Sequence, residues 1–108
     1  MSKFVCNQLK YGFIEEYFEH NGLKEGIYKI YWSNGQPQVI SNYINNIENG
    51  VRLEYHQNGH LHKKLNIINN KTNGKYKIYT DCDNLVVVCD FLDNKKMGHA
   101  THIIKIPF

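Results

Sequence analysis

Three histidines near one predicted turn are the residues whose type and spacing come closest to a metal site. His60 and His62 are separated by one residue, and His56 lies four positions before His60. Alternate residues of a strand share a face, so His60 and His62 project together, whereas His56, which we expect opposite Leu61, projects away from them. A tetrahedral zinc site needs three or four converging ligands. We therefore predict exposed histidines that hold no metal, and we predict no cofactor.

The cysteines and aspartates also lack the neighbouring residues that nucleophilic catalysis and calcium binding require. A cysteine nucleophile needs a base within reach, but Cys89 falls on the predicted core side of its strand and no histidine shares the hairpin of Cys82. With Cys6 the cysteines number three, and their spacing fits neither a disulfide framework nor a zinc motif. No twelve-residue calcium loop surrounds the aspartates, which are Asp81, Asp83, Asp90 and Asp93. We predict that the protein is not an enzyme.

The charge balance indicates that nucleic acid is not a partner. The 108 residues carry a formal net charge of +3, and Arg52 is the single arginine. Residues 55–108 hold eight basic and four acidic side chains, against five and six in residues 1–54. Nucleic-acid-binding domains concentrate more arginine and lysine on one face. The sequence shows no signal peptide and no run of about 18 apolar residues, so we predict a cytoplasmic protein without stable membrane insertion.

A 24-residue repeat dominates the sequence. Glycine and tyrosine recur at this spacing, at Gly26, Gly50, Gly74 and Gly98 and at Tyr31, Tyr55 and Tyr79. A fixed period of this length indicates a repeat architecture. We predict a single repeat domain over residues 1–108. Its parts are a degenerate first hairpin at 3–25, repeats at 26–49, 50–73 and 74–97, and a closing strand at 98–106.

Each repeat predicts two strands and two turns. Asn34-Gly35 and Asn58-Gly59 lie between apolar-rich segments and predict two-residue type I′ turns, with a third turn near Cys82-Asp83. The second turn of each repeat is an Asn-Asn stretch or its equivalent, and residues 19–25 predict a longer connection. No helical period appears. The predicted fold is all-β, a single-domain meander of about eight or nine antiparallel strands that forms an open sheet of hairpin repeats.

Counting outward from these turns predicts the register and two faces. Trp32 then faces Pro37, and Glu54 faces Lys63. The core face holds Tyr28, Ile30, Trp32, Val39, Tyr43, Leu61, Leu65, Ile67, Tyr76, Ile78, Leu85, Val87, Cys89 and Phe91. The opposite face is polar and carries the tyrosine column, and tyrosine is enriched in recognition surfaces. The predicted partner-binding residues are Tyr31, Tyr55, Tyr79, His62, Lys64 and Lys77, unless the tyrosines form a structural ladder that covers this face.

The recurring Gly-x-Tyr-x-x-Tyr, Asn-Gly-x-Leu and Tyr-Ile-Asn-Asn-x-x-x-Gly segments resemble the MORN-repeat variant of bacterial YwqK-type antitoxin proteins. The resemblance covers about residues 12–98. It departs at Arg52, Cys82, Asp83 and Ala100. It implies a meandering antiparallel sheet that serves as a scaffold or a recognition surface, and it supplies no catalytic residues. The matching positions are Gly26, Tyr28, Tyr31, Asn34, Gly35, Tyr43, Asn46 and Gly50, with their counterparts 24 and 48 residues later where these agree.

These observations favour a non-catalytic binding protein whose partner is a protein. The resemblance implies an immunity or antitoxin protein that binds and neutralises a toxin. One alternative is a structural or assembly scaffold. Another is a peripheral binder of anionic lipid that uses Lys63, Lys64, Lys71, Lys75 and Lys77. The sequence leaves the partner's identity and the oligomeric state open.

Overall fold

The computed structural model describes residues 2–82 and 84–102, which form one antiparallel sheet. The all-β open-sheet prediction is confirmed. A short 3-10 turn, Lys10–Gly12, joins the first two strands. Ten strands lie within the described residues, more than expected because Asn49 separates two of them. They are β1 (Ser2–Gln8), β2 (Ile14–His20), β3 (Leu23–Tyr31), β4 (Pro37–Ile44), β5 (Ile47–Glu48), β6 (Gly50–Tyr55), β7 (Leu61–Ile68), β8 (Lys71–Tyr79), β9 (Leu85–Leu92) and β10 (Lys95–His102).

The strands follow one another across the sheet in chain order. The order is β1-β2-β3-β4-β6-β7-β8-β9-β10, and β5 pairs with β4. The molecule measures 49 × 32 × 19 Å along its principal axes, as an open sheet without a second layer requires. Among the described residues no side chain is completely enclosed. The buried hydrophobic residues are Tyr28, Val39, Leu65, Ile67 and Cys89, and each confirms its predicted place on the core face.

The Asn-Gly turns differ from the predicted type I′ geometry. The amide of Gly35 donates to the carbonyl of Trp32 at 2.9 Å, and the amide of Trp32 donates to the carbonyl of Gln36 at 2.8 Å. The loop therefore has three residues, and Gly35 is the one with positive φ (86°). The second hairpin repeats this arrangement around Gly59. The prediction is wrong because a type I turn followed by a left-handed glycine suits the same Asn-Gly sequence.

A β-bulge after each of these turns restores the predicted register. Tyr31 pairs with Pro37 and Ile30 with Val39, so Gln38 is the extra residue. In the second hairpin His62 is the extra residue between the pairs Tyr55–Leu61 and Glu54–Lys63. The predicted pairs in the strand interiors are therefore confirmed, and those next to the turns are wrong. The third hairpin shows the same offset, although Asp83 of the predicted Cys82-Asp83 turn lies outside the described residues.

The type I′ turns occur instead at the Asn-Asn stretches. Both central residues have positive φ, for example 48° at Asn45 and 70° at Asn46, and asparagine tolerates this conformation. Asn70, of the next turn, also bonds across to the preceding repeat. Its amide donates to the carbonyl of Glu48 at 2.9 Å, and its side-chain oxygen accepts from the Glu48 amide at 2.8 Å. The same reciprocal pair joins Asn46 to Lys24 and Asn94 to Thr72, so it recurs in register with the repeat.

The predicted long connection at residues 19–25 is instead a tight turn. His20 pairs directly with Leu23, and Asn21-Gly22 supplies two positive φ angles of 52° and 79°. Asn-Gly at a two-residue turn is the sequence that most favours type I′ geometry. Strand β3 therefore begins at Leu23, before the glycine that opens the first complete repeat.

Candidate protein-binding face

Paired residues of neighbouring strands share a face, so the register defines two surfaces. We call one the aromatic face; it includes Tyr17, Tyr28, Tyr43, Leu65 and Cys89. We call the other the open face. It includes Phe4, Phe18, Ile27, Lys29, Ile40, Val51, Leu53, Lys64, Asn66, Lys75, Lys77 and Asp90.

The aromatic face is covered by its own side chains. Tyr17 stacks on Tyr28 with ring centroids 5.8 Å apart, and Tyr43 packs against Tyr28 at 5.4 Å. The ammonium of Lys24 lies over all three rings, 4.8 Å from the centroid of Tyr28 and 5.2 Å from each of the other two. A cation over aromatic faces is attracted by their quadrupoles. The cluster satisfies itself and presents little free surface to a partner.

A carboxylate secures the centre of this cluster. The Tyr28 hydroxyl donates to Glu15, which also accepts from the Asn7 amide at 3.0 Å. Burial and the bond to Glu15 raise the pKa of Tyr28, so its hydroxyl stays a donor. Burial acts to raise the pKa of Glu15, but the bonds from Tyr28 and Asn7 and the charge of Lys24 outweigh it and lower that pKa. Glu15 and Tyr28 therefore have a structural role.

Arg52 extends the same face into the second repeat, where it occupies the position equivalent to Tyr28. Its guanidinium bonds Glu48 at 3.2 Å and Glu54 at 3.0 Å. Burial acts to lower the pKa of Arg52, yet these two carboxylates raise it. The single arginine of the chain is therefore held by its own carboxylates on the aromatic face.

The open face exposes large apolar side chains on four strands, β1, β2, β3 and β6. Phe4 and Phe18 are 52% and 46% exposed, and their rings meet edge to face at 5.3 Å. Ile27 and Val51 are 55% and 49% exposed. Phe4, Phe18 and Ile27 line a small cavity of about 130 Å³ together with Lys29. We call the group formed by Phe4, Phe18, Ile27 and Val51 the apolar patch. Phe4, Phe18 and Ile27 lie on adjacent strands, whereas β4 separates Val51 from Ile27 and places Asn42 opposite Ile27. Exposed apolar surface marks interaction sites.

The predicted tyrosine column has no common environment. The Tyr31 hydroxyl donates to Glu16 at 3.1 Å, and burial and this bond raise the pKa of Tyr31. The backbone carbonyl of each of the other two tyrosines contacts the side chain that follows the tyrosine of the preceding repeat. Trp32 Nε1 donates to the Tyr55 carbonyl at 3.3 Å, and His56 Nε2 lies 3.0 Å from the Tyr79 carbonyl. All three tyrosines are half-buried, so they contribute to cohesion between repeats.

The bulge brings His62 to an unexpected neighbour. Its ring centroid lies 4.2 Å from that of His56, although the predicted register placed these histidines on opposite faces. Both line a cleft of about 480 Å³ with Trp32 and Tyr55. Burial, with the nearby His56 and Lys63, lowers the pKa of His62. The prediction was wrong here because it allowed for no extra residue at position 62.

Lys64 and Lys77 are brought together by the sheet. They pair directly across β7 and β8, and both line a cavity of about 290 Å³ with Val51, Asn66 and Lys75. Lys75 pairs with Asp90 at 3.1 Å across β8 and β9. Lys63, which the lipid hypothesis groups with these lysines, pairs with Glu54 on the aromatic face.

The sequence reasoning missed the apolar patch. Ile27 and Val51 occupy the same position of successive repeats, 24 residues apart. Each directly precedes a core-face position, which Tyr28 and Arg52 occupy, so the alternation placed both on the polar face. Phe4 and Phe18 lie in the degenerate first hairpin, where no repeat pattern guided the register. The signal that could have indicated part of this surface was an apolar residue at the same exposed position of successive repeats, Ile27 and Val51.

The described part of the chain contains no group of three or more histidine, cysteine, aspartate or glutamate side chains arranged to hold a metal ion. No helix within it has the length and hydropathy needed to span a bilayer.

Residues 24–45 and 48–69 each match the family model of the MORN repeat variant. The match supports a MORN-repeat protein. No curated protein matches the chain. The two matched MORN segments contain Ile27 and Val51 respectively, so both residues occupy the same position of successive repeats. The reciprocal Asn46–Lys24 and Asn70–Glu48 bonds each join the first residue of a matched segment to the asparagine just beyond its end.

Proposed function

We propose that this MORN-repeat chain is a non-catalytic binding protein whose open face binds a partner protein. One observation carries the proposal, namely the exposure of Phe4, Phe18, Ile27 and Val51 on one side of the sheet. The other side covers itself with stacked tyrosines and internal ion pairs. A rigid sheet loses little conformational freedom on binding, so a few exposed apolar side chains can supply most of the affinity.

The finer proposal is that the partner is a toxin, which the protein neutralises in the cytoplasm as an immunity protein. It rests on the resemblance of the Tyr-Ile-Asn-Asn and Gly-x-Tyr-x-x-Tyr segments to YwqK-type proteins. Neutralisation by binding needs no catalytic group. A reducing cytoplasm would keep the exposed Cys6 and Cys82 as thiols.

The experiment is a growth assay with the product of the neighbouring gene. That product is expressed alone, with the wild-type protein, and with the double variant Ile27→Thr/Val51→Thr. Threonine keeps the β-branched shape that suits a strand, so the fold persists while apolar contact is lost. Leu92→Thr is the matched control, because Leu92 is 56% exposed and Ile27 is 55% exposed. Leu92 lies on β9, three strands beyond the β6 strand of Val51, so it is outside the apolar patch.

We expect the wild-type and Leu92→Thr proteins to restore growth and the double variant to fail. A neighbouring product that does not impair growth contradicts the immunity role. Full protection by the folded double variant contradicts binding through the apolar patch. Self-association in sedimentation, abolished by the same double variant, supports a scaffold in place of an immunity protein.

A further inference from the structure

We propose that the open face binds an acidic segment of its partner at Lys64 and Lys77; the inference rests on the proposed binding function and specifies the partner's chemistry. The two lysines are directly opposite each other on β7 and β8. Side chains in this relation have Cβ atoms about 4.5–5.5 Å apart, and like charges there destabilise the sheet. Folding alone therefore does not favour this pair.

The rest of the sheet shows how unusual the pair is. In the part of the chain that the structure describes, five other cross-strand pairs combine charged residues, and all five have opposite signs. They are Lys3–Glu19, Glu16–Lys29, Glu19–Lys24, Glu54–Lys63 and Lys75–Asp90. Charged residues that face each other across strands therefore have opposite signs in these five pairs and like signs at Lys64 and Lys77.

The surroundings of the pair suit a protein segment that carries carboxylates. Lys64, Lys75 and Lys77 line one cavity, and Asp90 offsets the charge of Lys75. The cluster retains about two positive charges, because three lysines face one aspartate. Val51 forms an apolar wall of the same cavity and belongs to the apolar patch. An acidic segment can therefore cross from the patch onto the lysines.

Other occupants fit this site less well. Nucleic acid and phosphate groups are bound best by arginine forks, but the single arginine, Arg52, is engaged by Glu48 and Glu54 on the aromatic face. A second copy of the chain carries its densest group of acidic residues, Glu15, Glu16 and Glu19, on β2. These already have partners: Glu15 is bonded by Tyr28 and Asn7, Glu16 by Tyr31, and Glu19 lies opposite Lys3 and Lys24. An acidic segment of a different protein is the occupant that remains.

The test uses fluorescence anisotropy with a labelled peptide of alternating glutamate and leucine. Three proteins are titrated into the peptide: the wild-type protein, the Lys77→Glu variant and the Lys71→Glu variant. Lys71→Glu is the matched control, because Lys71 lies on the same strand as Lys77 and its replacement changes the net charge equally. Lys77→Glu gives Lys64 an opposite charge across the strands, so we expect an unchanged or higher thermal midpoint. We expect Lys77→Glu to bind the peptide about tenfold more weakly than the wild-type protein does. Because salt screens charges, this difference in affinity should be larger at low salt than at high salt.

Equal affinity of wild-type and Lys77→Glu proteins for the peptide overturns the inference, as does an equal loss in Lys71→Glu. Tighter binding of the wild-type protein to phosphatidylserine vesicles or to single-stranded RNA than to the peptide also overturns it. The proposed function is judged separately, by the growth assay with Ile27→Thr/Val51→Thr. A failure of either idea is therefore distinguishable from a failure of the other.

Discussion

At the scale of single residues, the Tyr28–Glu15 hydrogen bond shows how a sheet without a second layer organises its own cover. Tyr28 is 9% exposed although no layer packs over it, because Tyr17, Tyr43 and the stem of Lys24 surround its ring. The hydroxyl then needs an acceptor, and Glu15 supplies one. The lowered pKa of Glu15 follows from this arrangement.

This bond predicts a pH-dependent effect of Tyr28→Phe. A carboxylate with a lowered folded-state pKa stabilises the fold above its unfolded pKa, and that contribution is lost as the pH falls from about 4.5 through the lowered value. We expect Tyr28→Phe to reduce the free energy of unfolding by about 1 kcal/mol at neutral pH, because Glu15 also contacts solvent. The difference from wild type should shrink at a pH of about 3. Urea titrations at both pH values measure it, with Tyr17→Phe as control; a difference that grows in acid contradicts this account.

At the scale of elements, the turns explain which parts of the fold the sequence predicted. The 24-residue spacing fixed strand order and the interior pairs such as Glu54–Lys63, because a strand cannot slip without moving its apolar side chains to the other face. Turn type was not determined in the same way, since Asn-Gly suits both a type I′ turn and a three-residue loop. The three-residue loop makes His62 an extra residue in its strand, and for this reason the contact between His62 and His56 was not predicted.

The glycines of the Asn-Gly turns give a paired prediction. Gly59 has φ of 92°, and an added Cβ would lie 3.2 Å from the side-chain oxygen of Gln36. Gly35 has φ of 86°, and an added Cβ there meets nothing within 4 Å. Both alanine variants incur backbone strain of about 1–2 kcal/mol. We expect Gly59→Ala to destabilise more than Gly35→Ala in guanidinium titration, and the reverse order contradicts the turn geometry.

The Asn-Asn turns predict a different order of effects at Asn70. Alanine there loses the acceptor for the Glu48 amide and must also adopt φ of 67°, whereas glycine loses only the acceptor. We expect Asn70→Ala to cost about 2 kcal/mol and Asn70→Gly about 1 kcal/mol. Thermal unfolding of the two variants measures this difference. Equal destabilisation means that the left-handed backbone contributes nothing to the choice of asparagine.

At the scale of the whole molecule, the decisive property is that one face of the open sheet is covered and the other is not. Alternation along the strands assigns residues to faces, and on this basis the burial of Val39, Leu65 and Cys89 was predictable. Alternation says nothing about which apolar residues on the second face remain exposed. That depends on neighbours such as the Phe4–Phe18 pair, which lies outside the regular repeats. The apolar patch therefore became visible only in the folded sheet.

The central claim is that this open face is the binding surface, and calorimetric titration of the partner tests it most directly. The titrant is the neighbouring gene's product, and the titrated proteins are wild type, Ile27→Thr/Val51→Thr and Leu92→Thr, each verified as folded by thermal melting. We predict that the double variant binds at least about tenfold more weakly, a loss of about 1.4 kcal/mol, while Leu92→Thr binds as wild type does. Unchanged affinity in the folded double variant would contradict the claim and move the interface away from the apolar patch.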